Sequence, residues 1–293
     1  MRTLPHERNG WRLWAVYFPD GSKIRHTDPT HARCTTSSLE PQALAGSRPV
    51  PNYGGKLLKI ASLSLSSNMC PNPESRSPTS AEETLTRFST PQAAAKYARS
   101  LGGTATHARE LRSISNALKA VPAQSLVLDL PCGTGRLLPA LVSWGFRVTE
   151  ADSSLHMVEH ARDLARKQAL KTAETFVVAS VFETGFPDAS FDAVVSNRLF
   201  HHFREREVRR KALSELRRIS RGPIVVSFFS TRSIDAVYFR LRNVLRGKAP
   251  TDRIPISPAD FEEDARAVGL KVARWIAPRP WVSKQHYAVL LRS

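Results

Sequence analysis

The chain has 293 residues, 41% of them hydrophobic, and its 43 Lys and Arg against 26 Asp and Glu give a formal charge of +17. This is enough for one ordinary core plus extensions without requiring a second full domain, and the charge favours acidic partners, nucleic acid among them. Cys34, Cys70 and Cys132 lie far apart with no CxxC pair, which argues against a disulfide framework or a cysteine zinc site, and no apolar run reaches the roughly twenty residues of a membrane-spanning helix. A soluble, cytoplasmic protein is expected, with no membrane insertion and no metal.

Residues 1–80 are rich in Ser, Pro and Thr and show no sustained period, so they read as a disordered or upstream extension, with Met69 as an alternative start. Within them "WRLWAVYFPDGSKIRHT" suits a hairpin about Pro19-Asp20-Gly21. Residues 81–121 hold two predicted helices, "TPQAAAKYARSL" and "ATHARELRSISNALKAV", the second with Leu111, Ile114, Leu118 and Val121 at helical spacing.

From 122 to 293 strand and helix alternate. "SLVLDL" is a buried strand, followed by the helix "GRLLPALVSWG" with Gly145 as its stop signal. "FRVTEAD", "ETFVVAS", "FDAVVSN" and "PIVVSFF" are the next strands, with helices "SLHMVEHARDLARKQAL" and "EREVRRKALSELRRIS" between them. Helical stretches near 232–245 and 258–267 precede two final strands, "LKVARWIAP" and "HYAVLLR". The expected fold is α/β, Rossmann-like and doubly wound. A mainly parallel seven-stranded sheet has helices on both faces and an antiparallel edge hairpin at the C-terminus.

The stretch "LVLDLPCGTGRLLPAL" ends a strand on Asp129 and turns through Gly133-Thr134-Gly135. It lacks the lysine and spacing of a phosphate-binding P-loop, and the third glycine of a dinucleotide fingerprint is replaced by Leu138. What remains is an acid that attracts an ammonium and a helix start that attracts a carboxylate. The next strand ends at Asp152, where an acid can bind both ribose hydroxyls. An amino acid joined to a nucleoside without phosphate describes S-adenosylmethionine.

The motifs "VLDLPCGTGRL", "VTEADSSLHMVEHAR" and "VVASVFETGFPDASFDAVVSNRLFHHF", in that order, resemble those of the class I S-adenosylmethionine-dependent methyltransferases, specifically the small type 11 subgroup. The resemblance covers about residues 90–293. It implies that Gly133, Thr134 and Gly135 surround the methionine moiety with Asp129 near its amino group, that Asp152 binds the ribose, and that Ser153 and Met157 lie by the adenine. Ser180, beside Val181, stands where the family commonly has an Asp that meets the adenine amino group. Asn197 is implied to face the methionine end. Pro131 replaces a usual glycine, and Cys132 reads as a small packing residue.

His201 and His202 follow the fourth strand of this set, at the edge where open α/β sheets bind ligands. One could serve as general base; the alternative is that one packs and the other borders the cofactor. Arg109-Glu110 reads as a surface ion pair or as part of the acceptor pocket. The insertion 231–256 carries Tyr238, Phe239, Leu241 and Val244, either an acceptor wall or a core stripe. The run "FREREVRRKALSELRRISR" suits a solvated crossover helix, although its arginines, with Arg240, Arg242, Arg246 and Lys248, make an RNA acceptor conceivable. The leading expectation is methyl transfer to O, N or C of a small metabolite. A tRNA methyltransferase is the alternative, though "SNRLFHH" lacks the Asn-Pro-Pro-Tyr-like segment of enzymes acting on exocyclic amines. A non-catalytic cofactor-binding protein is the third reading. Oligomeric state is not legible.

Overall fold

The computed structural model describes residues 5–8, 11–14, 77–100, 104–170, 172–245, 247 and 253–293. The strands are β1 (Pro5–Arg8), β2 (Trp11–Trp14), β3 (Leu126–Asp129), β4 (Arg147–Asp152), β5 (Ala173–Val178), β6 (Ala193–Ser196), β7 (Ile224–Phe229), β8 (Leu270–Ile276) and β9 (Gln285–Arg292). The helices are α1 (Ser80–Phe88), α2 (Pro91–Ser100), α3 (Ala105–Leu118), α4 (Leu138–Ser143), α5 (Leu155–Lys167), α6 (Arg206–Ile219), α7 (Ile234–Leu245) and α8 (Pro258–Ala267).

The sheet order is β1-β2-β5-β4-β3-β6-β7-β9-β8. Strands β5, β4, β3, β6 and β7 run parallel, and β9 is antiparallel to both β7 and β8. The seven strands from β3 onward are therefore the expected Rossmann-like sheet with its C-terminal hairpin. Beyond them, β2 continues the sheet parallel to β5 and pairs antiparallel with β1. Trp11–Trp14 is thus a strand whose partner is Pro5–Arg8; the turn at Pro19-Asp20-Gly21 and Met69 lie outside the described residues.

Period-two alternation sends neighbouring side chains into two separate cores. Val127, Val148, Phe176, Val195 and Val225 pack on one face with Ile114 of α3, Leu138 of α4 and Ala161 of α5. Leu128, Ala151, Val177, Val194 and Val226 pack on the other with Leu213 and Leu216 of α6 and Phe261 of α8. The chain changes faces where it returns from β5 to β6 beside β3. That reversal opens a crevice at the carboxyl ends of the strands.

Three features depart from the sequence reading. Helix α1 precedes the two helices expected in residues 81–121, and its start is a capping box in which Thr79 and Glu82 each accept from the other's backbone N–H. Helix α6 is not simply solvated: Arg209 is buried, and Arg206, Arg209 and Arg210 all donate to the buried Asp264 of α8. In α7, Tyr238 and Leu241 are exposed together with Ile234, Val237 and Leu245, so they are not a core stripe. The side chains of Phe239, Arg240 and Val244, and residues Arg246 and Lys248, lie outside the described set.

Candidate active site

The loop after β3 is tied to β4 by its backbone. Cys132 N–H donates to the Ala151 carbonyl at 2.8 Å, and Gly133 N–H donates to Asp152 Oδ2 at 3.0 Å. Gly133 and Gly135 take φ of +55° and +78°, the left-handed region that favours glycine. A Cβ on Gly135 would lie 2.9 Å from the Ala161 Cα, so this glycine lets the loop sit directly on α5. Cys132 is buried in the core, and burial, then Glu150, pushes its thiol pKa well up, so it packs as an uncharged group.

Above the loop lies a cavity of about 730 Å³, roofed by residues of α1 and α2. Its wall brings together Gly133, Asp152, Ser153, Met157, Ser180, Val181, Asn197, His201 and His202 from four separate strand ends. Asp129, Thr134 and Gly135 stand outside that wall. Asp129 is buried, and neither of its carboxyl oxygens has a hydrogen-bond partner among the described residues. Glu150, its cross-strand neighbour, is buried beside Cys132. Burial pushes both carboxyl pKa values well above the ordinary range. Asp152 accepts from Gly133 and Ser154 backbone N–H groups, yet burial still pushes its pKa up to about 6. Orphaned buried acids are costly, and a cationic ligand group is the natural complement.

Ser180 Oγ accepts from Phe182 N–H at 3.3 Å. Asn197 Oδ1 accepts from Ser227 Oγ at 2.8 Å and Gln285 Nε2 at 3.1 Å, which fixes it between β7 and β9. The buried His201 ring stacks on Phe229, with centroids 3.9 Å apart and planes 9° from parallel. His202 meets Phe88 of the roof edge-on at 5.7 Å. Both histidines face the cavity while each packs on an aromatic ring.

Residues 128–223 match the family described as methyltransferase domain. That match spans about a third of the chain. The chain is 30% identical over 152 residues to 27-O-demethylrifamycin SV methyltransferase of Amycolatopsis mediterranei, covering 50% of this chain and 53% of that protein. It is 33% identical over 108 residues to tRNA (carboxymethyluridine(34)-5-O)-methyltransferase alkbh8 of Xenopus tropicalis, covering 37% of this chain and 16% of that one. The chain thus spans about half or less of each. The fold is shared with magnesium protoporphyrin IX methyltransferase from Synechocystis PCC 6803, solved with bound SAH, at a TM-score of 0.59 and 16% identity over 72% of this chain and 100% of that one.

Glu110 lines the wall, as one of its two expected readings had it, whereas Arg198 and the loop 278–285 were not singled out. Glu110 of α3 is buried and receives hydrogen bonds from Arg136 of the loop and Arg198 after β6. Burial opposes its charge, but Arg198 and Arg136 together hold its carboxyl below the usual range. It is therefore not paired with Arg109, whose guanidinium reaches Thr106 instead. Arg198 itself has a φ of +61°. The loop 278–285 also lines the wall, and nothing in its sequence announced that. Among the described residues, no group of three His, Cys, Asp or Glu side chains is arranged to hold a metal, and no helix is long and apolar enough to cross a membrane.

Proposed function

We propose that the chain transfers the methyl group of S-adenosylmethionine to O, N or C of a small acceptor seated beside it. The observation that carries this is one roofed cavity with two chemically different ends, Asp152 at the end of β4 and polar and cationic groups around β6, β7 and β9. S-adenosylmethionine supplies an activated methyl group when bound. Asp152 would hold the ribose hydroxyls, Ser153, Met157, Ser180 and Val181 the adenine, and Gly133 and Asn197 the methionine end, with Asp129 behind the loop complementing the ammonium. Ser180 replaces the carboxylate common in this family, and its hydroxyl accepts a weaker hydrogen bond. The roof excludes water, and positioning of the acceptor supplies much of the acceleration. Where the acceptor must lose a proton, His201 or His202 would take it.

RNA is the second reading, supported by the likeness to a tRNA methyltransferase. The arginines of α6 weigh against it as a binding stripe. Arg206, Arg209 and Arg210 are bound to Asp264, and Arg218 to Glu215 and Asp188. The widely spaced cysteines support a reducing, cytoplasmic setting, and residues 81–121 are assigned as the lid of a catalytic domain over 122–293.

Calorimetric titration of the full chain with S-adenosylmethionine and S-adenosylhomocysteine tests the cofactor assignment. Micromolar affinity is expected, weakened about tenfold or more in Asp152→Ala; unchanged affinity in that variant contradicts the site. Incubation with radiolabelled methyl donor and small-metabolite or RNA fractions then reads the acceptor. Label in RNA alone would overturn the small-molecule reading, and binding without any transfer would leave a cofactor-binding protein.

A further inference from the structure

Helix α7 wears its apolar side outward. Ile234, Val237, Tyr238, Leu241 and Leu245 recur at steps of three and four residues, which at about 100° per residue fall within an arc of about 100° of the helix. Each is between 56% and 78% exposed, while Ala236, on the far side of the helix, is buried. This reverses the arrangement of the helices that cover the sheet, whose apolar side chains pack into the two cores.

Trp281 extends the same face. Ile234 N–H donates to the Trp281 carbonyl at 2.8 Å and Asp235 N–H to the Val282 carbonyl at 3.3 Å, which fixes the loop 278–285 against the first turn of α7. Trp281 is 77% exposed and takes a φ of +65°, a conformation costly for a bulky residue and held here by that anchoring. Asp235, Pro278 and Arg279 of these two segments line the cavity, so the apolar face adjoins it. Single exposed apolar side chains are ordinary, but six on two adjoining segments mark an interaction surface.

Charge selects the occupant. Residues 232–248 hold the cations Arg232, Arg240, Arg242, Arg246 and Lys248 against one acid, Asp235, and Arg232, Arg242 and Arg279 are exposed. A second copy docked through this face would set those cations against their own counterparts. An RNA backbone would complement the charge and leave the apolar stripe in water. An anionic lipid surface satisfies both, because an amphipathic helix lying in the interface buries its apolar side at the acyl boundary and keeps its cations among the headgroups.

We propose that the face formed by α7 and Trp281 docks the protein on an anionic lipid surface. The contact is peripheral, with α7 in the plane of the interface, and it brings the cavity edge at Asp235, Pro278 and Arg279 against the lipid. It does not depend on the methyl-transfer reading.

The test sediments the full chain with vesicles of phosphatidylcholine, alone or mixed in equal parts with phosphatidylglycerol, and follows the indole emission. Binding to the anionic vesicles is expected, with a blue shift that Trp281→Phe removes. Leu241→Ser and Tyr238→Ser keep the charge and should each weaken partition about tenfold; either serves if the other fails to fold. Arg242→Gln should weaken it about fivefold. Binding that both apolar variants leave unchanged is adhesion by charge alone and overturns the proposal. Absence of vesicle binding also overturns it, and quenching of Trp281 by acrylamide then names the occupant. Shielding lost on dilution indicates a second copy, shielding at every dilution the chain's own residues, and shielding only with added polyuridylate RNA.

Discussion

At the β3–β4 end of the cavity Asp152 lines the wall, and Asp129 and Glu150 lie buried behind it. At the β6–β7–β9 end the charged groups are Arg198, Arg253, Arg279, Lys284 and one acid, Asp235. The same sheet edge carries both, yet they are built differently. The acidic end comes from one continuous stretch of strand, loop, helix and strand, with Asp152 fixed by the backbone N–H groups of Gly133 and Ser154. The cationic end is assembled from loops that lie far apart in the chain, each pinned to β7 or to the turn after β6. A charged cavity end can thus be specified by local chain geometry or by convergence of distant segments, and only the first leaves a motif.

Glu110 joins the two ends, since it holds Arg136 from one and Arg198 from the other. Glu110→Ala strands two partly buried guanidinium groups, and a loss of about 3–5 kcal/mol is expected in denaturant unfolding. A loss under 1 kcal/mol would show the ends to be independent. Glu110→Gln should lie between.

The pH response separates the ends next. Asp152 has a folded pKa near 6 against an ordinary 3.8, so the folded chain keeps this proton where the unfolded chain releases it. The associated stability is fully present below the unfolded value and is lost as pH rises through about 6, on the order of 3 kcal/mol. Compared with Asp152→Asn, which does not titrate, the parent should therefore lose relative stability between about pH 4 and pH 6.5. A constant difference across that window would sink the assignment of burial as the cause. Lys284→Met should leave the window unchanged.

The smallest effect is local to the loop. Gly135→Ala adds a Cβ against the Ala161 backbone at a left-handed φ, and a loss of about 1–3 kcal/mol is expected. S-adenosylhomocysteine affinity should fall with it while vesicle binding stays as before. Equal weakening of both would mean that the loop shapes the α7 face as well as the cavity.

The legibility of the sequence follows the same division. The strand end at Asp152, the turn at Gly133 and the succession of strands and helices were readable because each depends on neighbours within a few positions, and because buried parallel strands such as Ile224–Phe229 are largely apolar. Gly135 was readable as a required glycine, but its reason is contact with α5 and not placement in the wall. Glu110 was read as a pocket residue or a partner of Arg109, and its actual partners could not be named because they are 26 and 88 positions away. Helix α1 did carry a local signal, the Thr79-Glu82 capping box, in a stretch whose composition suggested no order. Arg253, Arg279 and Lys284 look like ordinary surface cations until the fold brings them together.

Helix α1 is fastened to the segment that carries the histidines. Ser80 Oγ donates to Glu205, Arg204 donates to Glu83 at 2.7 Å, and Phe88 rests on both Tyr97 and His202. The roof and the segment that would handle the acceptor's proton are thus one mechanical piece. Any displacement of α1 would break the Phe88 ring contact with His202, so the position of the roof and that of the histidine are coupled.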